Sequence, residues 1–392
     1  MNGAPASTTQ QQPPTIYDVA RVAGVSIASV SRVLNGHRNP RQETRDRVLA
    51  AVAELGFVPD GAARALSARL KEVVGVVFRR VPWGESHEGA DGAGAEDAVA
   101  EEDESLQFTD VINRGIEVAA QRRGYNLLVG SVDVEGHDAH RRVMTMARKC
   151  DGLILHDRVL EPGRLAQLSR QVPVVTLAGV ATATTANVRG DNESGMGELA
   201  RHLIRDHGYL TIAYLAGHAD SPDNLARRLA VAEEAASAGV MFVHGPQWQG
   251  NYLASGGAKA IRNLLAEKAW LPRAIVCAND QTALGVMYEL ASHGIDVPGQ
   301  IAVTGFDDIP VARHLRPQLT TVRQPIQDLG ATAFDLLRSM IATRSEQGNE
   351  PAQREHEEAQ REHEEAQREV VLPTRLVRRE SCGCGAAKAG GS

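Results

Sequence analysis

Apolar residues recur along this chain in two textures. Between Ile16 and Leu55 they fall at helical spacing in three segments: Ile16–Ala23, Ser26–Leu34 and the longer "QETRDRVLAAVAELG". In the last of these Val48, Leu49, Val52 and Leu55 are expected to share one stripe, and Gly56 followed by Pro59 ends it. From Val73 onward, continuous apolar runs alternate with amphipathic stretches. "VVGVVF", "YNLLVGSV", "DGLILH" and "VPVVTLAG" form a first series, and "LTIAYLAG", "AIVCAND" and "IAVTGFDD" a second. Runs without polar alternation read as strands buried on both faces, and the stretches between them as helices covering those faces. The expected fold class is α/β: an all-α N-terminal head followed by two doubly wound lobes with parallel sheets.

Three segments break the pattern. Residues 1–14 are polar and Pro-rich and read as a disordered arm. Residues 82–107 hold nine acidic residues, no Lys or Arg and no hydrophobic period, which reads as a disordered acidic loop. Residues 352–365 repeat "AQREHEE" twice, with a partial third copy from Ala366; without apolar a and d positions this is a solvated helix or spacer, not a coiled coil. The boundaries that follow are a head at 15–59, an Ala-rich connector at 60–71 and a two-lobed core at 72–380. The core carries the acidic insert at 82–107 and the heptad insert at 345–369, and a flexible tail covers 381–392.

Length supports this division, because 392 residues exceed what a single core organises. The net charge of −7 argues mildly against nucleic acid, but its distribution changes the picture. Between Thr15 and Lys71 nine basic residues face five acidic ones, so the surplus of positive charge sits in the head. An acidic remainder repels DNA and leaves the head as the contacting part. The first residues lack a basic n-region and an apolar core, so no signal peptide is expected. No run approaches the roughly 18 apolar residues of a membrane helix, so no membrane partner is expected either. Cys150, Cys277, Cys382 and Cys384 imply no disulfide framework, and a cytoplasmic location follows. "CGC" at Cys382–Cys384 lacks a second ligand pair, and the histidines show no metal-binding spacing. Neither a metal, nor a cofactor, nor a nucleophile–base constellation is expected, and an enzyme is the poorest reading.

A helix-turn-helix needs a small residue where its helices cross, a glycine in the turn, and an apolar residue locking the second helix down. Ala20, Gly24 and Val30 fit those roles, and Gly24 can take the left-handed conformation a short turn demands. Thr15 with Asp18 makes a capping box for the first helix, and Ser26 an N-cap for the second. Ser26, Ile27, Ala28, Ser29 and Arg32 then face outward where a recognition helix meets base edges. The alternative is a plain helical hairpin. Against it stand Arg38, Arg41, Arg45 and Arg47 near phosphate height and the "ARAL" that follows.

"TIYDVARVAGVSIASVSRVLNG", "ETRDRVLAAVAELGFVP", "AARALSARL", "CANDQTALGVMYELASHGIDVPGQIAVTGFDDIP" and "LTTVRQP", in that order, resemble the lac repressor family of bacterial transcription regulators. The resemblance runs from Thr15 to about Cys382, the acidic loop and heptad insert excepted. It implies a repressor that binds a palindromic double-stranded DNA operator as a homodimer. Thr15, the outward set on the second helix, Asn35 and Arg45 would contact DNA, with Arg32 and Asn35 at family-matching positions. Ile27 and Ala28 carry no hydrogen-bonding group and can read only apolar features such as thymine methyls, which shifts polar readout to Ser29 and Arg32. "AARAL" matches the family's hinge helix (60–71), making Leu66 the minor-groove wedge with Ala63 beside it; the alternative is that Leu66 packs on the core.

The two lobes resemble periplasmic sugar-binding proteins, which implies a small-molecule effector, a carbohydrate by family precedent, in the cleft between them. The matching residues are Arg228 as the clamp, with Arg227 an equal claimant, Trp248 as the stacking aromatic, and Asn279 and Asp307 as polar anchors. Each has a plainer alternative: a solvated helix charge, core packing and strand-end capping respectively. Val231 and Ala232 stand where the family usually shows a glycine and an aromatic, and Ala178 where several relatives carry an Asp or Arg. These departures point to a ligand larger or less polar than a simple hexose. A competing reading is a cytoplasmic ligand-binding protein whose head no longer functions.

Overall fold

Thr15 opens the first element by reciprocal capping. Its Oγ1 accepts from the Asp18 amide at 3.4 Å, and Asp18 Oδ2 accepts from the Thr15 amide at 3.0 Å. The structure, a computed structural model, describes residues 14–34, 40–57, 70–79, 93–133, 138–347 and 368–385. They fall into two units, Met1–Glu72 and Val73–Ser392.

In the first unit, α1 (Ile16–Ala23) ends at Gly24, whose φ of +62° turns the chain toward α2 (Ile27–Leu34). Ser26 caps α2, its Oγ accepting from the Ser29 amide at 3.2 Å. α3 (Gln42–Leu55) crosses behind, and Arg47 Nη2 donates to the Gly24 carbonyl at 3.0 Å, tying the third helix to the turn. Val19, Ala20, Ala23, Val30, Val33, Val48, Ala51 and Phe57 form a small common core. Ala20 and Val30 thus occupy the crossing and locking positions. The expected α3 stripe needs one correction: Leu49 is 51% exposed, and the packing face runs through Val48, Ala51 and Val52. Leu49 lies about 100° around the helix from Val48 and leaves that face.

The second unit holds two six-stranded sheets. The first orders β11–β5–β4–β3–β1–β2 and is parallel throughout. Its strands are β1 (Val73–Arg79), β2 (Asn126–Val132), β3 (Gly152–His156), β4 (Val174–Leu177), β5 (Ala186–Gly190) and β11 (Glu369–Leu372). The second orders β12–β10–β9–β8–β6–β7 and is parallel except for β12, which runs antiparallel to β10. It comprises β6 (Thr211–Leu215), β7 (Met241–Val243), β8 (Ala274–Cys277), β9 (Ala302–Asp307), β10 (Thr320–Arg323) and β12 (Arg375–Val377). The chain passes between the lobes three times, after β5, after β10 and after β11.

α4 (Ala93–Arg122), α5 (Ala139–Ala147) and α6 (Pro162–Ser169) belong to the first lobe. α7 (Asn192–Arg201) and its π-helical extension His202–Asp206, α8 (Pro222–Ala238), α9 (Ala254–Ala266) and α10 (Asp280–Ser292) belong to the second. α11 (Ile326–Gln347) returns to the first lobe and lies along α4, β3, β4 and β5. Its approach to α4 is close because both contact points are glycines. A Cβ on Gly115 would collide with the Gln327 carbonyl, and one on Gly330 with the Ile112 carbonyl.

Two boundary expectations are corrected. The acidic insert is not a loop throughout, because α4 begins at Ala93 and carries "AGAEDAVAEEDESLQ" as its N-terminal half. Ala, Glu and Gln are strong helix formers, and carboxylates near a helix N-terminus complement its dipole. The tail is not free from residue 381 either: Ser381 and Cys382 are fully buried against the second lobe. The connector with Ala63 and Leu66, Asn35, Arg38, the N-terminal arm and the heptad repeat lie outside the described residues.

Candidate DNA-reading face and inter-lobe cleft

On the head, the start of α2 is presented to solvent. Ser26, Ile27, Ala28 and Arg32 are exposed, Ser29 is half-buried, and the Ser26 and Ser29 hydroxyls are 2.9 Å apart. Thr15 is exposed at the start of α1, and Arg45 is half-buried on α3. Burial of Val30 and Val33 fixes which side of α2 turns outward. Tyr17 is 68% exposed in the first turn of α1 and was not singled out in the sequence. Its signal was an aromatic off the apolar stripe of a capped helix.

In the core, a cleft of about 910 Å³ opens between the lobes at the carboxyl ends of the strands. β1 delivers Phe78 and Arg79, β3 His156 followed by Asp157 and Arg158, β4 Leu177, and β9 Asp307. Arg227 of α8 also lines the cleft, and it is 4% exposed. Its Nε donates to Asn192 Oδ1 at 2.7 Å, Nη1 to the Ala278 carbonyl at 2.8 Å and Nη2 to Asp223 Oδ2 at 3.3 Å. Its guanidinium carbon lies 3.7 Å from the Phe306 ring centroid. Asn192 closes the network by donating from Nδ2 to Asp223 Oδ1 at 2.8 Å. A buried cation is therefore held flat by two side chains, one carbonyl and one aromatic face.

Asp307 accepts from Gln324 Nε2 at 2.5 Å through one carboxylate oxygen. Its backbone φ is +114°, an uncommon conformation for a residue with a side chain and one that gathers at functional sites. Burial pushes its carboxyl up to about 7 against the opposing pull of Arg227 and Gln324. Burial likewise raises Asp157 to about 7, opposed by Arg158. His156 is lowered to about 4 by burial, and His218 to about 4 by burial and the nearby Arg158 and Arg79. At neutral pH both imidazoles are uncharged. Nε2 of His156 is buried with no hydrogen-bond partner among the described residues. An ion pair spans the cleft, Arg158 Nη1 of the first lobe meeting Asp220 Oδ1 of the second at 2.9 Å.

The fold brings Asn279 and Asp307 into the cleft lining, as expected. Asn279 spends its amide locally: Nδ2 donates to the Tyr252 carbonyl at 3.0 Å, and Oδ1 accepts from the Thr282 amide at 3.0 Å, capping α10. Two other expectations are corrected. Arg228 is not among the cleft residues; its neighbour Arg227 is, because the α8 face that buries Asp223 also buries the residue four further on. Trp248 is 2% exposed and packed among Leu215, Ile261 and Val286 inside the second lobe. Tyr252, four residues later, does line the cleft, together with Phe78 and Phe108, and its hydroxyl is 3.1 Å from Ser221 Oγ. Cys382 and Cys384, expected to lack partners, lie beside His202 and His207, a pair 180 residues upstream in the sequence.

Comparisons with known proteins agree with this architecture. Residues 15–60 match the model of the bacterial regulatory proteins of the lacI family, and residues 200–382 that of the periplasmic binding protein-like domain. The chain is 32% identical over 327 residues to catabolite control protein A of Priestia megaterium, covering 82% of this chain and 91% of that one. It is 31% identical over 325 residues to the HTH-type transcriptional regulator GalS of Salmonella typhimurium, covering 82% and 88%. The lac repressor dimer bound to operator and the anti-inducer ONPF superposes with a TM-score of 0.73 at 26% identity, over 95% of this chain and 99% of that one. The transcriptional regulator CelR–cellobiose complex gives 0.60 at 28% identity, over 94% and 99%. No helix among the described residues is long and apolar enough to cross a membrane. A capped helix-turn-helix head, two doubly wound lobes and these relatives together show that the chain belongs to the lac repressor family of DNA-binding transcriptional regulators.

Proposed function

We propose that this regulator is a cytoplasmic repressor that binds a palindromic operator as a homodimer and is controlled by a carbohydrate larger than a monosaccharide. The observation that carries the effector class is the cleft floor. Arg227 and Asp307 offer a fixed donor and an acceptor beside the Tyr252 ring. Hydroxyls arrayed on an apolar ring skeleton satisfy such a set. A volume of about 910 Å³ lies near the upper end for small-molecule sites and favours a ligand of more than one sugar ring. The bound cellobiose of the CelR neighbour supports the same class.

On the DNA side, Ser26, Ile27, Ala28, Ser29 and Arg32 read the major groove, with Thr15 and Arg45 on the backbone. Leu66 and Ala63 enter the minor groove at the dyad, and Asn35 contacts the operator. Ligand and operator binding are coupled through the relative positions of the lobes. The test is a mobility-shift titration on the DNA upstream of the chain's own gene, with and without ligands from a thermal-shift screen of disaccharides, monosaccharides and sugar phosphates. A ligand at 100 times its dissociation constant stabilises by about 2.7 kcal/mol, well within reach of that screen. The expected result is a disaccharide that both raises the melting temperature and changes the operator affinity. A stabilising ligand with no effect on operator binding would favour a plain binding protein with an idle head.

A further inference from the structure

Away from the cleft, four ligand-type side chains converge on the second lobe. His202 opens the π-helical turn His202–Asp206 that ends α7, and His207 follows it as the C-cap. An α-helix sets residues five apart on different faces, and the wider π turn brings them onto one. Cys382 and Cys384 come from the turn after β12. Between them Gly383 has φ of +104°, and a Cβ there would sit 3.2 Å from His207 Nδ1 and 3.3 Å from the Tyr209 hydroxyl. Two separate backbone irregularities thus serve one spot.

Four of the distances between ligand atoms are close to those of a coordination sphere. The ligand atoms of all four residues lie within 4.8 Å of one another. His202 Nε2 is 3.1 Å from His207 Nε2, 3.4 Å from Cys382 Sγ and 3.5 Å from Cys384 Sγ, and His207 Nε2 is 3.4 Å from Cys384 Sγ. Tetrahedral zinc, with bonds near 2.0–2.1 Å to nitrogen and 2.3 Å to sulfur, sets its ligand atoms about 3.3–3.8 Å apart. The surroundings fit as well. Asp206 Oδ2 lies 2.7 Å from His202 Nδ1, the carboxylate–histidine arrangement that frees Nε2 for a metal. Thr320 Oγ1 donates to Cys382 Sγ at 3.1 Å, and Tyr209 Oη to the Cys382 carbonyl at 2.9 Å. His202 and Cys382 are buried, while His207 and Cys384 are half-exposed and leave a route of entry.

We propose that His202, His207, Cys382 and Cys384 form a tetrahedral zinc site that clamps the end of the chain to the second lobe. Four protein ligands leave no open position, so the site is structural. It joins segments 180 residues apart, directly after the strand that closes the second sheet. The test uses the full chain, purified reduced without immobilised metal. Elemental analysis should find about one zinc per chain, removed by a strong chelator and restored by zinc alone in competition with a chromophoric chelator. Cobalt in its place should give the visible bands of a tetrahedral thiolate site. Cys384→Ser and His207→Ala, both at the half-exposed side, should each weaken zinc at least tenfold. Asp206→Asn should do so by roughly 10–100-fold while leaving every ligand in place. The proposal is overturned if the reduced, metal-free wild type takes up no zinc, if Cys384→Ser binds it like the wild type, or if mass spectrometry finds a Cys382–Cys384 disulfide in the native chain.

Discussion

Replacing Arg227 by alanine tests the cleft floor most directly. The guanidinium is 4% exposed and satisfies Asp223, Asn192 and the Ala278 carbonyl at once. Its loss leaves a buried carboxylate without its cation, a change that costs about 3–5 kcal/mol. The stacking on Phe306 overlaps with that figure and does not add in full. Arg227→Ala is therefore expected to lower core stability by about 3–5 kcal/mol, a large share of what a domain of this kind possesses. Arg228→Ala, on the half-buried side of the same helix, should stay within about 0.5 kcal/mol. Adding Asp223→Ala to Arg227→Ala should cost less than the sum of the two single changes, because the orphaned carboxylate is then gone. Urea unfolding of each variant, followed through the buried Trp248, gives all four numbers. An Arg227→Ala protein within about 1 kcal/mol of wild type, or an Arg228→Ala protein equally damaged, would refute the assignment of the buried cation.

Three further outcomes are expected. Gly24→Ala forces a Cβ into a left-handed residue and to 2.5 Å from Arg47 Nη2, so the head should lose at least about 1–2 kcal/mol and operator binding while effector binding is kept; a mobility shift equal to wild type contradicts this. Asp307 has a folded-state value near 7 against 3.8 for the free group, so its burial penalises the native state increasingly as pH rises from about 4 to 7. Asp307→Asn should then gain on the wild type across that window and not below it, and paired melts at pH 4 and pH 8 showing the same gap would exclude the effect. Asp220→Ala removes the ion pair across the cleft, worth up to about 1 kcal/mol because Asp220 is largely exposed, and should speed ligand release up to about fivefold in stopped flow; an unchanged rate counts against a clasp role.

The architecture was legible because its signals are local. Gly24, Ser26 and the Thr15–Asp18 box act within one turn of helix, and the apolar runs of β1, β3, β4, β6, β8 and β9 need no partner to be read as buried. The cleft was legible only in part. Arg227 and Arg228 are indistinguishable until the rotation of α8 is known, and Asp223, which selects between them, carries no mark of its own in the sequence. Trp248 and Tyr252 lie four residues apart in an irregular stretch, where no period tells which one faces the cleft. The acidic stretch was misread because composition alone decided it, although the helix it extends is strongly patterned from Ile112 onward. The second ligand pair for Cys382 and Cys384 was invisible for a different reason: His202 and His207 share a face only in a π-helical turn, which no helical template anticipates.

The outermost strands β11 and β12 set the order in which the protein can be finished. Each is an edge of its sheet, and each comes from the last described stretch of the chain. β11 reaches its neighbour β5 only 180 residues later in synthesis, as the Arg189–Glu369 pair marks. At the ribosome the head therefore completes first, while the first lobe waits for the parallel partner of β5 and the second for the antiparallel partner of β10, open edges of the kind that pair with other chains. A message cut short before Glu369 would thus yield no soluble DNA-binding fragment with a spare core. It would yield a chain with two unsealed sheets, and removal by proteolysis or aggregation is its expected fate.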